Sequence, residues 1–200
     1  MSQRKAATPL ELQELSRVLL AIGGAQQRGS ALLACAWLAD SLGEALKTRL
    51  LPDPQSLKIL FTNRGALADF QPRIHLAYAI RLIEKDFRDE LERIRDIRNE
   101  FAHLRDPVDF SDRSIRDRCQ NLETARLFEE AASDTFESPY DRFIVSVGLL
   151  AGMLVAEAKQ PSSPHRPLSL KKAQNAFSVQ ILAKVFALLR AIGKSIAKPA

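Results

Sequence analysis

The chain has 200 residues, of which 46% are hydrophobic and 26% are charged, and its formal net charge is +5 at pH 7. This length fits one globular domain, alone or with an appendage, that buries well over half of the surface of its unfolded chain. The Ala- and Leu-rich composition with only eight glycines favours helices over sheet, and no run of about 18 uncharged apolar residues is present to span a membrane.

Two helices are predicted before the prolines at 52 and 54. The tetrapeptide Thr-Pro-Leu-Glu at 8–11 is a capping box with proline at the first helical position, so a helix should run from there to the glycine pair at 23–24. A second helix is predicted over 30–51, with apolar residues at helical spacing that indicate a core face. Cys35 lies in this helix and is predicted to be a buried free thiol, as in a reducing cytosol.

Three further elements are predicted up to residue 104. A short helix covers 55–61, a turn follows around Gly65, and a helix runs over 72–83. The next helix, over 86–104, is the most charge-dense segment and ends in the hexapeptide Arg-Asn-Glu-Phe-Ala-His at 98–103. An Asp-Pro pair follows and disfavours further helix, so the hexapeptide should lie next to a loop.

The hexapeptide is the one segment whose residues suit catalysis. Residues four apart share a helix face, so Arg95, Asn99 and His103 form one row. Arg98 lies about 140° around the axis from His103, so a second helix or a second subunit would have to bring them together. A guanidinium can clamp a phosphate and an imidazole can act as acid or base near neutrality. The structural alternative is that Arg98 pairs with a carboxylate and His103 caps the helix C-terminus.

Two helices complete the predicted bundle. One follows Ser111 and carries Arg113 and Arg116 beside aspartates, a ladder of mixed charges that is typical of a solvated face. Alternatively, these arginines extend an anion-binding surface near His103. The other helix, over 138–158, is strongly apolar and is predicted to be a central core helix.

The net positive charge lies at the C-terminal end of the sequence. Residues 159–200 contain eight Lys or Arg and no Asp or Glu, whereas residues 1–158 contain 21 basic and 24 acidic side chains. The proline-rich stretch 159–170 predicts an extended linker, and 171–198 predicts a basic amphipathic helix. We expect its apolar face to dock on the bundle or on a dimer mate; the alternatives are a partner groove, an acidic membrane surface or nucleic-acid phosphates. The basic residues predicted to contact a partner or an anion are Lys171, Lys172, Lys184, Arg190, Arg95, Arg113 and Arg116.

Residues between 60 and 104 resemble the mannitol operon repressor family. A Gly-x-Leu-x-Asp turn at 65–69 precedes a helix with an Arg-x-x-Leu pattern that begins at Arg73, and a later helix ends in the Arg-x4-His stretch at 98–103. The resemblance implies an all-α regulator of sugar-operon transcription that acts through partner proteins, because the family carries no obvious DNA-binding motif. The alternative is a fold signature in which Gly65 makes the turn, Leu67 enters the core and Asp69 caps a helix.

The Arg-x4-His spacing, with a polar residue after the arginine, also resembles the motif of HEPN domains. These all-α modules include metal-independent ribonucleases that work as dimers. The resemblance implies that Arg98 holds the scissile phosphate, Asn99 orients the reacting groups and His103 moves the proton.

We therefore predict an all-α protein with a single helical bundle of about seven to eight helices at 1–158, a linker and a C-terminal basic amphipathic helix. The predicted function is non-catalytic regulation of transcription through a protein partner, by a cytoplasmic homodimer; the alternative is a HEPN-type endoribonuclease. We expect no cofactor and no metal, since no phosphate loop, dinucleotide fingerprint, nucleophile elbow or metal-ligand spacing occurs in the sequence. Sparse aromatic residues argue against sequence-specific nucleic-acid recognition and leave nonspecific contact open.

Overall fold

A computed structural model describes residues 27–173, except 63, 104–107, 133–134, 137, 160 and 162–166. Within these residues the regular secondary structure is helical, which confirms the predicted all-α fold. The helices are α1 (Gln27–Lys47), α2 (Pro54–Phe61), α3 (Phe70–Ala79), α4 (Lys85–His103), α5 (Arg113–Gln120), α6 (Glu123–Ala132), α7 (Pro139–Lys159) and the single turn α8 (Leu170–Ala173). The helix predicted over 8–24 and most of the one predicted over 171–198, including Lys184 and Arg190, lie outside the described residues.

Helices α1 and α7 form the centre of the bundle. Residues 143–150 of α7 are all buried, as expected of a helix that is enclosed on every side. Alanines 31, 34 and 45 of α1 are fully buried, and such small side chains let the backbone of a neighbouring helix come close. At the ends of these helices Arg49 Nη2 lies 2.6 Å from Glu157 Oε1, and both side chains are largely buried. The predicted core helix at 138–158 is therefore confirmed.

Helix α4 packs against α1 and α3 with one apolar stripe. Its fully buried side chains recur every three or four residues, as in an amphipathic helix, and are Phe87, Leu91, Ile94, Ile97 and Phe101. Phe101 contacts Phe110 with ring centroids 4.8 Å apart, which joins the end of the helix to the segment just before α5. The remaining faces of α4 carry the charged residues.

The turn at 64–69 is held by a buried arginine. Arg73 Nε donates to Leu67 O at 2.8 Å, Nη1 to Ala39 O at 2.7 Å and Nη2 to Ala68 O at 3.2 Å. One side chain thereby joins α3, α1 and the turn. A Cβ on Gly43 of α1 would lie 3.2 Å from Arg73 Nη1, so a glycine leaves room for the guanidinium.

The residues of the Gly-x-Leu-x-Asp turn have structural roles. A Cβ on Gly65 would lie 2.2 Å from the carbonyl oxygen of Leu60, so this position requires glycine because the backbones approach so closely. Leu67 is buried and enters the core as predicted. Asp69 occupies the N-cap position of α3, but its side chain accepts no capping hydrogen bond.

Helix α3 ends four residues before the predicted boundary at Ile83. Leu82 N donates to Ala77 O at 2.9 Å and Arg81 N donates to Tyr78 O at 3.1 Å, which together form a Schellman motif. This motif requires a residue in the left-handed conformation, and Arg81 adopts that conformation with φ of 59°. The sequence has no glycine here, so the usual signal for the end of a helix is missing.

A short segment near the end of the predicted linker docks at the start of α4. Leu168 forms a parallel bridge with Ile83, in which Leu168 N donates to Leu82 O at 2.9 Å. Asp86 Oδ2 then accepts hydrogen bonds from Ser169 Oγ at 2.8 Å and from the backbone N–H of Leu170 at 3.0 Å. We call residues 167–171 the C-terminal strap.

Candidate functional site on helix α4

Arg98 and Asn99 lie together on the surface of α4. Arg98 is exposed, and its Nη1 donates to Asn99 Oδ1 at 3.2 Å. Among the described residues no carboxylate forms an ion pair with Arg98, so its guanidinium keeps donors for an external acceptor. The structural alternative, in which Arg98 is tied to a neighbouring carboxylate, finds no support within this part of the chain.

His103 is the last residue of α4, and its side chain lies outside the described atoms. The helix is continuous from Lys85 to His103, so Arg95, Asn99 and His103 share one row on its surface. Arg98 lies on a different side of the same helix. The predicted meeting of Arg98 with His103 therefore stays a prediction.

Arg95 is placed differently from a free surface cation. Its side chain is only 21% exposed, and Nη2 donates to Asp96 Oδ1 at 2.8 Å. Its Nε and Nη1 are buried and have no hydrogen-bond partner among the described residues. Its predicted contact with an anion stays a prediction.

Cys35 approaches the same helix from α1. Its Sγ lies 3.8 Å from the carbonyl oxygen of Ile94, and burial raises the pKa of the thiol to about 12, although the positive charge of Arg98 acts in the opposite direction. A thiol with so high a pKa stays protonated near neutrality and is a poor nucleophile. The predicted buried free thiol is confirmed, and Cys119 is also free and buried.

On its other side α4 borders a polar groove of about 570 Å³. It is lined by Arg93 and Asp96 of α4 and by Arg118, Gln120, Asn121, Leu122, Glu123 and Arg126 at the junction of α5 and α6. Its arginines are each paired with a carboxylate: Arg93 with Glu90, Arg118 with Glu100, and Arg126 with Glu123 and Glu130. A lining of such mixed charge suits a protein surface better than a polyanion.

Glu90 holds two residues of the groove lining, Arg93 and Glu123, from inside the bundle. Its fully buried carboxylate accepts hydrogen bonds from the backbone N–H groups of Thr124 at 2.8 Å and Glu123 at 3.1 Å, and from Arg93 Nη1 at 3.0 Å. It thus caps the N-terminus of α6 from another helix. The sequence did not predict this role or the groove, because Glu123 and Thr124 lie more than 30 positions from Glu90 along the chain.

The other predicted cations lie on α5 and near α8. Arg113 is 88% exposed on α5 and lies 3.8 Å from Asp117, which Arg116 approaches at 3.7 Å. These spacings match the solvated charge ladder that the sequence suggested. Lys171 is exposed in the C-terminal strap, and Lys172 lies in α8 with its side chain outside the described atoms. In the groove, the hydrogen bond from Arg126 lowers the pKa of Glu123, and the charge of Lys171 adds to this effect.

The described residues contain neither a metal-binding cluster nor a helix that could span a membrane. No group of three or more His, Cys, Asp or Glu side chains in the described ranges is arranged to hold a metal ion. None of the described helices combines the length and the apolar character that crossing a bilayer requires.

No protein-family model and no curated protein matches the chain. Among solved structures, it is similar to a chain of the MtlR–HPr complex from Escherichia coli, with a TM-score of 0.58 and 17% sequence identity. The alignment covers 72% of this chain and 99% of that chain. The predicted resemblance to the mannitol operon repressor is therefore confirmed at the level of the fold.

Proposed function

We propose that the chain is a non-catalytic regulator of transcription that acts by binding a partner protein. The observation that carries the proposal is the fold that it shares with a chain of the MtlR–HPr complex along nearly the whole length of that chain. In that complex MtlR is assembled with a second protein, HPr, and we extend a protein partner of this kind to the present chain. A cytoplasmic location and a homodimer are parts of the same proposal.

The charges around α4 support a protein partner over a nucleic-acid one. The three arginines of the groove are each paired with a carboxylate. A nucleic-acid backbone presents only negative charge and gains affinity by releasing counterions, so carboxylates between the arginines oppose its binding. A protein surface carries charges of both signs and can match such a pattern.

Transcript levels test the regulatory role. In a strain that lacks the chain, sugar-operon transcripts should change, and the wild-type chain should restore them. A chain with Arg98→Ala and His103→Ala should restore them equally, because the proposed mechanism uses no catalysis. Restoration by the wild type alone would contradict a non-catalytic regulator.

The exposure of Arg98 favours one alternative, a metal-independent endoribonuclease of the HEPN type. Arg98 is exposed, donates to Asn99 and pairs with no described carboxylate, so its remaining donors can hold a phosphate. Incubating the purified chain with a mixed RNA pool in EDTA tests this reading. We expect no cleavage; cleavage that the Arg98→Ala/His103→Ala variant loses would establish the ribonuclease.

A further inference from the structure

The C-terminal strap is built into the bundle through its backbone. Leu168 N donates to Leu82 O at 2.9 Å, and Glu84 N donates to Leu168 O at 2.7 Å. The side chains of Leu168, Ser169 and Leu170 are all buried. The strap is therefore part of the packed fold, and it determines how the helix that follows it begins.

The carboxylate of Asp86 caps two helices. Its Oδ1 accepts a hydrogen bond from the backbone N–H of Phe87 at 2.7 Å, at the start of α4. Its Oδ2 accepts hydrogen bonds from Ser169 Oγ at 2.8 Å and from the backbone N–H groups of Leu170 at 3.0 Å and Lys171 at 3.3 Å, which begin α8. The first N–H groups of a helix have no partner within it, so a carboxylate there satisfies them and interacts favourably with the helix dipole. Asp86 thus does for α8, from another helix, what an N-cap side chain usually does.

The first turn of α8 lacks a carboxylate of its own. The segment Leu170–Ala173 contains two lysines, Lys171 and Lys172, and no acidic residue. Cations at the N-terminus of a helix oppose its dipole, which disfavours a helix that begins here without outside help. The hydrogen bond from Arg126 lowers the pKa of Glu123 and the charge of Lys171 adds to this effect, so Glu123 partly offsets one of the two cations. The backbone N–H groups of the turn, however, are bound by the carboxylate of α4.

We propose that Asp86 is a conformational latch for the basic C-terminal segment: residues 171–198 form the predicted amphipathic helix while the strap is docked, and lose it when the strap is released. Nucleating a helix is costly, so a first turn that the bundle holds in place favours helix in the residues that follow. The segment 159–200 contains no Asp or Glu that could replace the latch. Displacement of the strap therefore converts an amphipathic helix into an unfolded basic chain. The inference is independent of the proposed function.

Nuclear magnetic resonance on the full chain measures helix in this segment residue by residue, through Cα secondary shifts and the exchange of backbone amides. In the wild type we expect helical shifts and protected amides over most of 171–198. Asp86→Ala should lower this protection about tenfold, because a cap and a favourable charge are lost together. Asp89→Ala is the matched control, since it removes a carboxylate of the same helix that pairs with Lys85 and Arg88, and it should leave the segment protected.

Two further variants separate the latch from general damage to the bundle. Leu168→Asp leaves Asp86 in place but puts a charge at a buried position of the strap, and it should cause the same loss of protection. Adding Lys172→Glu to Asp86→Ala should restore most of the protection, because a glutamate three residues after Ser169 completes a capping box within the segment itself. The proposal is overturned by a segment that is unprotected in the wild type, that stays protected in Asp86→Ala or Leu168→Asp, or that Lys172→Glu fails to restore.

Discussion

Arg73 begins the Arg-x-x-Leu pattern that resembles the mannitol operon repressor family. Replacing it with alanine tests whether its role is to stabilise the fold. The side chain is 10% exposed and donates hydrogen bonds to three backbone carbonyls, those of Leu67, Ala39 and Ala68. Arg73→Ala leaves all three carbonyls without this partner. It also removes the guanidinium that lies 5.6 Å from the ring of Phe61.

The size of the effect follows from these contacts. A hydrogen bond to a charged group contributes about 1.5–3 kcal/mol, so three bonds set an upper range of roughly 5–9 kcal/mol. Two corrections reduce it: the guanidinium no longer has to be desolvated, and water can reach carbonyls near the surface. The pair with Asp40 adds little, since the distance is 3.4 Å and Asp40 is 79% exposed. We expect a loss of about 3–5 kcal/mol in the free energy of unfolding.

Urea unfolding followed by circular dichroism at 222 nm measures this loss. Arg73→Lys should retain only part of the stability, because an ammonium cannot reproduce the planar fork of donors. Arg113→Ala removes an arginine that is 88% exposed and should change stability by less than about 0.5 kcal/mol. If Arg73→Ala costs less than about 1 kcal/mol and instead weakens binding of a partner, the structural role given to Arg73 is wrong.

Other regions give further predictions. Gly65→Ala should cost about 1–3 kcal/mol in urea unfolding, because its Cβ would lie 2.2 Å from a backbone oxygen; unchanged stability would contradict that close approach. The hydrogen bond from Arg126 lowers the pKa of Glu123 below its usual 4.5, so this carboxylate stabilises the fold above that pH and the contribution disappears on acidification. Glu123→Gln should therefore make the fall in stability below about pH 4.5 shallower, and an unchanged pH profile would argue against the pair. The two buried thiols, each with a pKa of about 12, should not react with Ellman's reagent at pH 8 until urea unfolds the chain; rapid reaction in the folded state would show that they are accessible. Arg81→Gly should raise the free energy of unfolding by about 1 kcal/mol, and a loss of stability would place Arg81 in an unrecognised contact.

The spacing of hydrophobic residues predicted the helices that bury one apolar stripe or their whole surface. The apolar residues of α4 recur at helical spacing, and the apolar run in α7 predicts a central helix. The predicted ends of both helices therefore lie within one or two residues of the observed ends. Both depend on local pattern, which a single sequence contains. The turn around Gly65 was predictable for the same reason.

Features that lack a local sequence signal, or that depend on distant partners, were not predictable. The end of α3 uses Arg81 where glycine is usual, so the Schellman motif has no sequence signal. Glu90 looks like one more acid in a charged helix until the fold brings the N-terminus of α6 to it. The same limit applies to the candidate site, where the environment of Arg98 is visible only once α1 and α4 are packed together.

Isothermal titration of the purified chain with HPr from the same organism tests the proposed protein-binding function most directly. If the proposed partner is of this kind, we expect a saturable heat when both proteins are near 100 µM, a range that detects dissociation constants of about micromolar size. No heat of binding under these conditions would contradict the proposed binding to this kind of partner, and cleavage of RNA in EDTA by the wild-type chain would favour the ribonuclease.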